Sequence, residues 1–111
     1  MRQYVIDDLS PMERDNIDSY LKRNLQRGPM IGIYWIVLPP EALSELQRAH
    51  VEKCGPYYCG VEMGKNAVCF EMLVRSNANL HCDCIAHATP AQRQFVLDLA
   101  DKMLAEELIR S

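Results

Sequence analysis

From Tyr57 to Val74 apolar side chains fall on every second position, broken once by Gly64-Lys65-Asn66-Ala67. A period of two sends alternate side chains to opposite faces of a sheet, so this stretch buries one face in one register only. A turn at 64–67 pairs Met63 with Val68, Val61 with Phe70, Cys59 with Met72 and Tyr57 with Val74. A second reversal at Ser76-Asn77-Ala78 pairs Val74 with Leu80, Met72 with Cys82, Phe70 with Cys84 and Val68 with Ala86. The pattern predicts a three-stranded meander with one apolar face. A slip of one residue would carry Glu62, Glu71 or Asp83 into that face.

Helix signals flank the meander. Ser10-Pro11 with Glu13 is a capping box with proline in the first turn, and Ile17, Tyr20, Leu21 and Leu25 share one helical face. Gly28 and Pro29 end the pattern, which predicts a helix over 11–27. Met30 to Leu38 is β-branched, aromatic and apolar on both faces, the mark of a strand buried on both sides. Leu43, Leu46, His50 and Cys54 recur at steps of three and four before Gly55-Pro56, which predicts a helix over 40–53. A helix of that length between two strands suits a parallel, right-handed crossover. Thr89-Pro90 with Gln92 repeats the capping box. The third helix then carries Phe95, Val96, Leu99, Ala100, Met103, Leu104 and Leu108 over an arc wider than one sheet contact needs.

These elements give an α+β domain over 1–111: three helices packed in two layers on a four-stranded, largely antiparallel sheet, in the order helix-strand-helix-strand-strand-strand-helix. At 111 residues there is room for one core. A net charge of -3, with Arg14, Lys22, Arg23 and Arg27 interleaved among acids, leaves no basic footprint for nucleic acid or an anionic membrane. The longest apolar run, Met30 to Leu38, is far shorter than the roughly 20 residues of a membrane helix. Asp7 and Asp8 interrupt the apolar start, so no secretory leader is expected, and a cytoplasmic setting keeps the thiols reduced.

Two groups of residues carry chemistry. The register places Glu62, Cys69, Glu71, His81, Asp83 and His87 on the outer face of the meander, with Glu71 opposite Asp83. Carboxylates and imidazoles there could hold zinc or another divalent metal, and Gly60 opposite Glu71 would leave room for it. The plainer reading is a solvated face, polar outward as alternation demands. The second group is His50 and Cys54, four apart on one helical face, with Cys59 close behind. Zinc sites favour Cys-x(2–4)-Cys spacings, which Cys54 and Cys59 meet at the edge of the range. Cys82 and Cys84 on a regular strand would hold their sulfurs about 6.5–7 Å apart, too far for one ion. The register instead makes Cys59, Cys82 and Cys84 core thiols and leaves Cys54 and Cys69 as candidate reactive ones. A helix C-terminus at Cys54 would raise its pKa.

The phrases Gly32-Ile-Tyr-Trp-Ile-Val-Leu-Pro, Cys54-Gly-Pro-Tyr-Tyr, and Leu73-Val-Arg-Ser followed by Cys82-Asp-Cys-Ile-Ala-His-Ala-Thr-Pro resemble a group of short bacterial proteins of unknown function. The resemblance spans most of the chain and implies no activity, cofactor or catalytic residue.

No phosphate loop, dinucleotide fingerprint or nucleophile elbow is present in the sequence. The first expectation is therefore a non-enzymatic interaction or assembly module with no cofactor, which self-associates or binds another protein through its excess apolar surface. The second is a small metal- or thiol-dependent protein built on Glu62, Glu71, His81 and Asp83, or on His50, Cys54 and Cys59. An enzyme using Glu71 and His81 as an acid–base pair comes third.

Overall fold

The computed structural model describes residues 2–109. Among them are seven strands and four α-helices: β1 Gln3–Ile6, α1 Pro11–Asn24, β2 Gln26–Arg27, β3 Ile33–Val37, α2 Glu45–Ala49, α3 Val51–Cys54, β4 Tyr57–Met63, β5 Val68–Glu71, β6 Leu73–Ser76, β7 Ala86–His87 and α4 Pro90–Glu106. The α+β class agrees with the sequence, but the counts of three helices and four strands do not. The main sheet runs β1-β5-β4-β3-β2, with β6 on the far half of β4 and β7 beside β6. Every pairing is antiparallel.

The first hairpin follows the alternation. Val61 faces Phe70 and Met63 faces Val68, closed by the Gly64 N–H on the Ala67 carbonyl at 2.7 Å. Beyond Glu71 the register shifts by two, so Tyr57 faces Ser76 rather than Val74. Met72 sits at that break and takes a bond from its own N–H to the Arg2 carbonyl at 2.9 Å. A shift of two preserves the face of every side chain. Tyr57, Cys59, Val61, Met63, Val68, Phe70, Met72 and Val74 all stay buried.

The second predicted hairpin does not form. Residues 77–85 are a loop, and only Ala86 and His87 return to pair with Val74 and Leu73. The place beside β5 that the register gave to 82–86 is taken by β1, with Tyr4 facing Phe70 and Gln3 facing Glu71. Glu71 therefore does not face Asp83. The chain has two candidates for one sheet edge. Tyr4 and Ile6 alternate correctly for it, whereas Asn77, Asn79 and Asp83 favour turns.

Other boundaries also moved. Helix α1 ends at Asn24, and Gln26–Arg27 pair with Trp35 and Tyr34. Strand β3 is shorter than Met30–Leu38 and shows one buried face, Tyr34 and Ile36, while Met30 and Ile31 are exposed. Gly32, at φ 85, makes the turn into it. The segment predicted as one helix over 40–53 is a 3-10 turn, Pro40–Ala42, followed by α2 and α3. It joins antiparallel neighbours, so there is no parallel crossover.

Helices α1 and α4 cover one side of the sheet with Ile17, Tyr20 and Leu21 from the first and Val96, Ala100, Met103 and Leu104 from the second. Phe95 and Leu99 are only half covered, and Leu108 lies past the end of α4, exposed. No helix among the described residues is long and apolar enough to cross a membrane.

Candidate metal centre

The stretch from Ser44 to Gly55 is built by two local devices. Ser44 caps α2, accepting from the Gln47 N–H while the Gln47 side chain accepts from the Ser44 N–H. His50 ends α2 and opens α3, and the Cys54 N–H bonds the His50 carbonyl at 2.8 Å. The i, i+4 step puts both side chains on one face. Gly55 stops α3; a β-carbon there would lie 2.7 Å from the Val51 carbonyl oxygen, so the tight exit needs glycine.

The loop 77–85 brings the other side of the site. Ser76, fully buried, donates its hydroxyl to the Cys54 carbonyl and accepts from the N–H groups of Ala78 and Asn79 at 3.2 and 3.1 Å. One side chain thus anchors the start of the loop to the end of α3. At the far end, Gln47 donates to the Cys84 carbonyl at 3.1 Å. Gln92 in turn donates to Gln47 Oε1 at 2.8 Å and to the Ala42 carbonyl at 3.0 Å, while its own Oε1 accepts from the Thr89 N–H. The glutamines that complete two capping boxes therefore continue inward as a buried chain of amides ending on Cys84. No buried side-chain nitrogen or oxygen among the described residues lacks a partner.

The result is a cluster of His50, Cys54, Cys82 and Cys84 whose ligand atoms all lie within 4.8 Å of one another. His50 Nδ1 is 3.1 Å from Cys82 Sγ. A tetrahedral zinc with bonds of about 2.3 Å to sulfur and about 2.0 Å to nitrogen has edges of roughly 3.5–3.8 Å, so the His50–Cys82 pair would open slightly and the wider pairs close by up to about 1 Å to hold one ion. Three soft thiolates and an imidazole are a donor set that selects zinc among the common divalent metals.

The electrostatics divide the thiols. Cys82 is lowered to about 6, first by the Cys84 backbone N–H, then by the Cys84 thiol and the His50 ring. Cys54 is pushed up to about 11 by burial and by its bonds to Cys82 and Cys84. Its pKa rises as the sequence suggested, with burial rather than the helix terminus as the main cause. Tyr57 is also raised, first by burial and then by its bond to Cys84 Sγ at 3.3 Å. Binding a cation here would require the thiols to release their protons.

The candidate residues from sequence separate in space. His50 and Cys54 come together as expected, but with Cys82 and Cys84 rather than Cys59. Cys59 is wholly buried on the inner sheet face, and burial pushes its thiol up to about 12. Glu62 is exposed opposite Cys69. Glu71 is held by Arg75 through two bonds of 2.6 and 3.2 Å. His81 and Asp83 are exposed on the loop. Those four do not form a ligand cluster among the described residues, where the cluster found is the one above.

On a regular strand the spacing of Cys82 and Cys84 would hold their sulfurs apart. They are on a loop, where that spacing does not apply. The sequence signal lay in Ser76, Asn77, Asn79 and Asp83, four turn-forming residues within eight positions. No protein family, curated protein or solved structure matches the chain.

Proposed function

We propose that the chain is a small zinc-binding module in which the metal has a structural role, tying the loop 77–85 to the end of α3. The observation that carries this reading is the convergence of four ligand atoms from two separate segments within 4.8 Å. Four protein ligands fill a tetrahedral zinc, leaving no position for a substrate, which is the pattern of structural rather than catalytic sites. Glu71 is occupied by Arg75, which weakens the case for an acid–base pair with His81.

Native mass spectrometry of the untagged protein tests it. The expected result is one zinc per chain, lost in Cys82→Ser and Cys84→Ser. A metal-free protein that stays metal-free in zinc excess would refute the reading.

Work by contact rather than catalysis is the role in which such a module acts, and self-association is its simplest form. Supporting it, the outer sheet face carries Trp35 and Tyr58 stacked at 4.1 Å, and the exposed Met30 lines the same hollow. Sedimentation across a concentration series should show a dimer or larger, and Trp35→Ala should shift it toward monomer. A strict monomer at every concentration would remove this part of the reading.

A further inference from the structure

The three sulfurs of the centre differ in access. Cys54 and Cys84 are each 1% exposed; the Cys84 carbonyl is held by the buried amide chain, and its sulfur lies 3.3 Å from the Tyr57 hydroxyl, which also donates to the Gln47 carbonyl at 3.0 Å. Cys82 is half-buried. Cys54 and Cys82 both line a solvent-open cavity of ≈ 450 Å³, together with His50 and Asn79, whereas Cys84 does not. A small oxidant entering from solvent therefore meets Cys82 with Cys54 beside it.

We infer that the centre is also an oxidation site, at which a peroxide joins Cys54 to Cys82 and expels the metal. The inference rests on the zinc reading above. The Cys82 thiolate attacks the peroxide, its O–O bond breaks, and Cys82 becomes a sulfenic acid while hydroxide leaves. The Cys54 thiolate then attacks that sulfur, the S–O bond breaks, and a second hydroxide leaves as the disulfide forms. Two thiolates lose two electrons, the peroxide gains them, and solvent protons convert both hydroxides to water. The metal remains Zn²⁺. It keeps only His50 and Cys84, too few ligands to retain it.

The geometry selects this pair. The three sulfurs lie within 4.8 Å of one another, so the approximately 2.05 Å bond asks for a local movement, and of the three it is Cys54 and Cys82 that share the solvent-open cavity. Cys59 is sealed in the core, and Cys69 sits on the outer face bonded to Gln3 at 2.9 Å. The new bond would link α3 to the loop 77–85, the same two segments the zinc links. Oxidation therefore exchanges a metal staple for a covalent one instead of releasing the loop.

The test uses the zinc-loaded full chain in a Cys69→Ser background, treated with hydrogen peroxide beside a chromogenic zinc chelator. The expected outcome is release of one zinc equivalent, loss of two hydrogens from the intact mass, a Cys54–Cys82 cross-linked peptide after free thiols are blocked, and reversal by dithiothreitol with zinc. Zinc retained under peroxide would overturn the inference while sparing the zinc reading. So would zinc released with sulfinic acid or with a Cys82–Cys84 link. Failure to load zinc at the outset would overturn both.

Discussion

The fate of the five cysteines shows how far residue identity can decide chemistry. Cys59 and Cys84 are equally buried, yet one packs among Val61 and Phe70 while the other faces two further thiols and an imidazole. What separates them is position: Cys59 lies in mid-strand on the inner sheet face, whereas Cys84 is on a loop and Gln47 holds its carbonyl. Replacing Gln47 with Leu leaves the Cys84 carbonyl and one Gln92 donor without partners, at about 1–3 kcal/mol for each buried group orphaned. Urea denaturation should register that loss. Zinc affinity should also fall by roughly 10–100-fold, as removal of outer-sphere partners does elsewhere. A variant with unchanged zinc affinity would show that the amide chain supports the fold alone.

A second residue-scale effect is set by pH. Burial opposes ionisation of Asp18, but hydrogen bonds from Tyr34, at 2.6 Å, and from Lys22 outweigh it and hold the carboxyl below its ordinary 3.8. The same contact, after burial, pushes Tyr34 up to about 12. A carboxyl lowered on folding adds stability above its unfolded value and loses it as pH falls through the folded one. Wild type should exceed Tyr34→Phe in stability at neutral pH, and the difference should shrink as pH drops below about 4. Paired denaturation curves at several pH values measure it.

At the scale of elements, alternation was legible wherever both partners of a strand were local. Val61–Phe70 and Met63–Val68 were set by a four-residue turn and nothing else competed. The neighbour of β5 was not legible, because the competing segments lie about 65 and 15 residues away along the chain and both offer apolar alternation. Short-range patterning contains no term for which one arrives. The capping boxes at Ser10 and Thr89 were readable from three residues each, but that at Ser44 was hidden inside a longer apolar period. The ligand set was half legible. His50 and Cys54 came from helical spacing, whereas Cys82 and Cys84 depended on the strand that β1 displaced. If β1 is integral to the core, Ile6→Ala should cost about 2–5 kcal/mol in urea denaturation. A cost near zero would mean that β1 is a dispensable edge. Ser76→Ala, which strips the Cys54 carbonyl and two loop N–H groups of their partner, should cost about 1–3 kcal/mol.

Over the whole molecule, a sheet covered by α1 and α4 carries a loop that has no strand partner between 77 and 85. Its exposed residues bury little, so its order comes from Ser76 at one end and, at the other, from the Gln47 bond to the Cys84 carbonyl together with the thiols. Hydrogen exchange should therefore show amides 77–85 protected with zinc and open after chelation, while amides of β4 and β5 keep their protection. Uniform loss across the sheet would instead make the metal a condition of folding altogether. The central claim is the identity of the ligands, and zinc K-edge X-ray absorption on the purified protein addresses it directly. The expected first shell holds three sulfurs at about 2.3 Å and one nitrogen at about 2.0 Å. A shell of oxygen and nitrogen with one sulfur or none would contradict it.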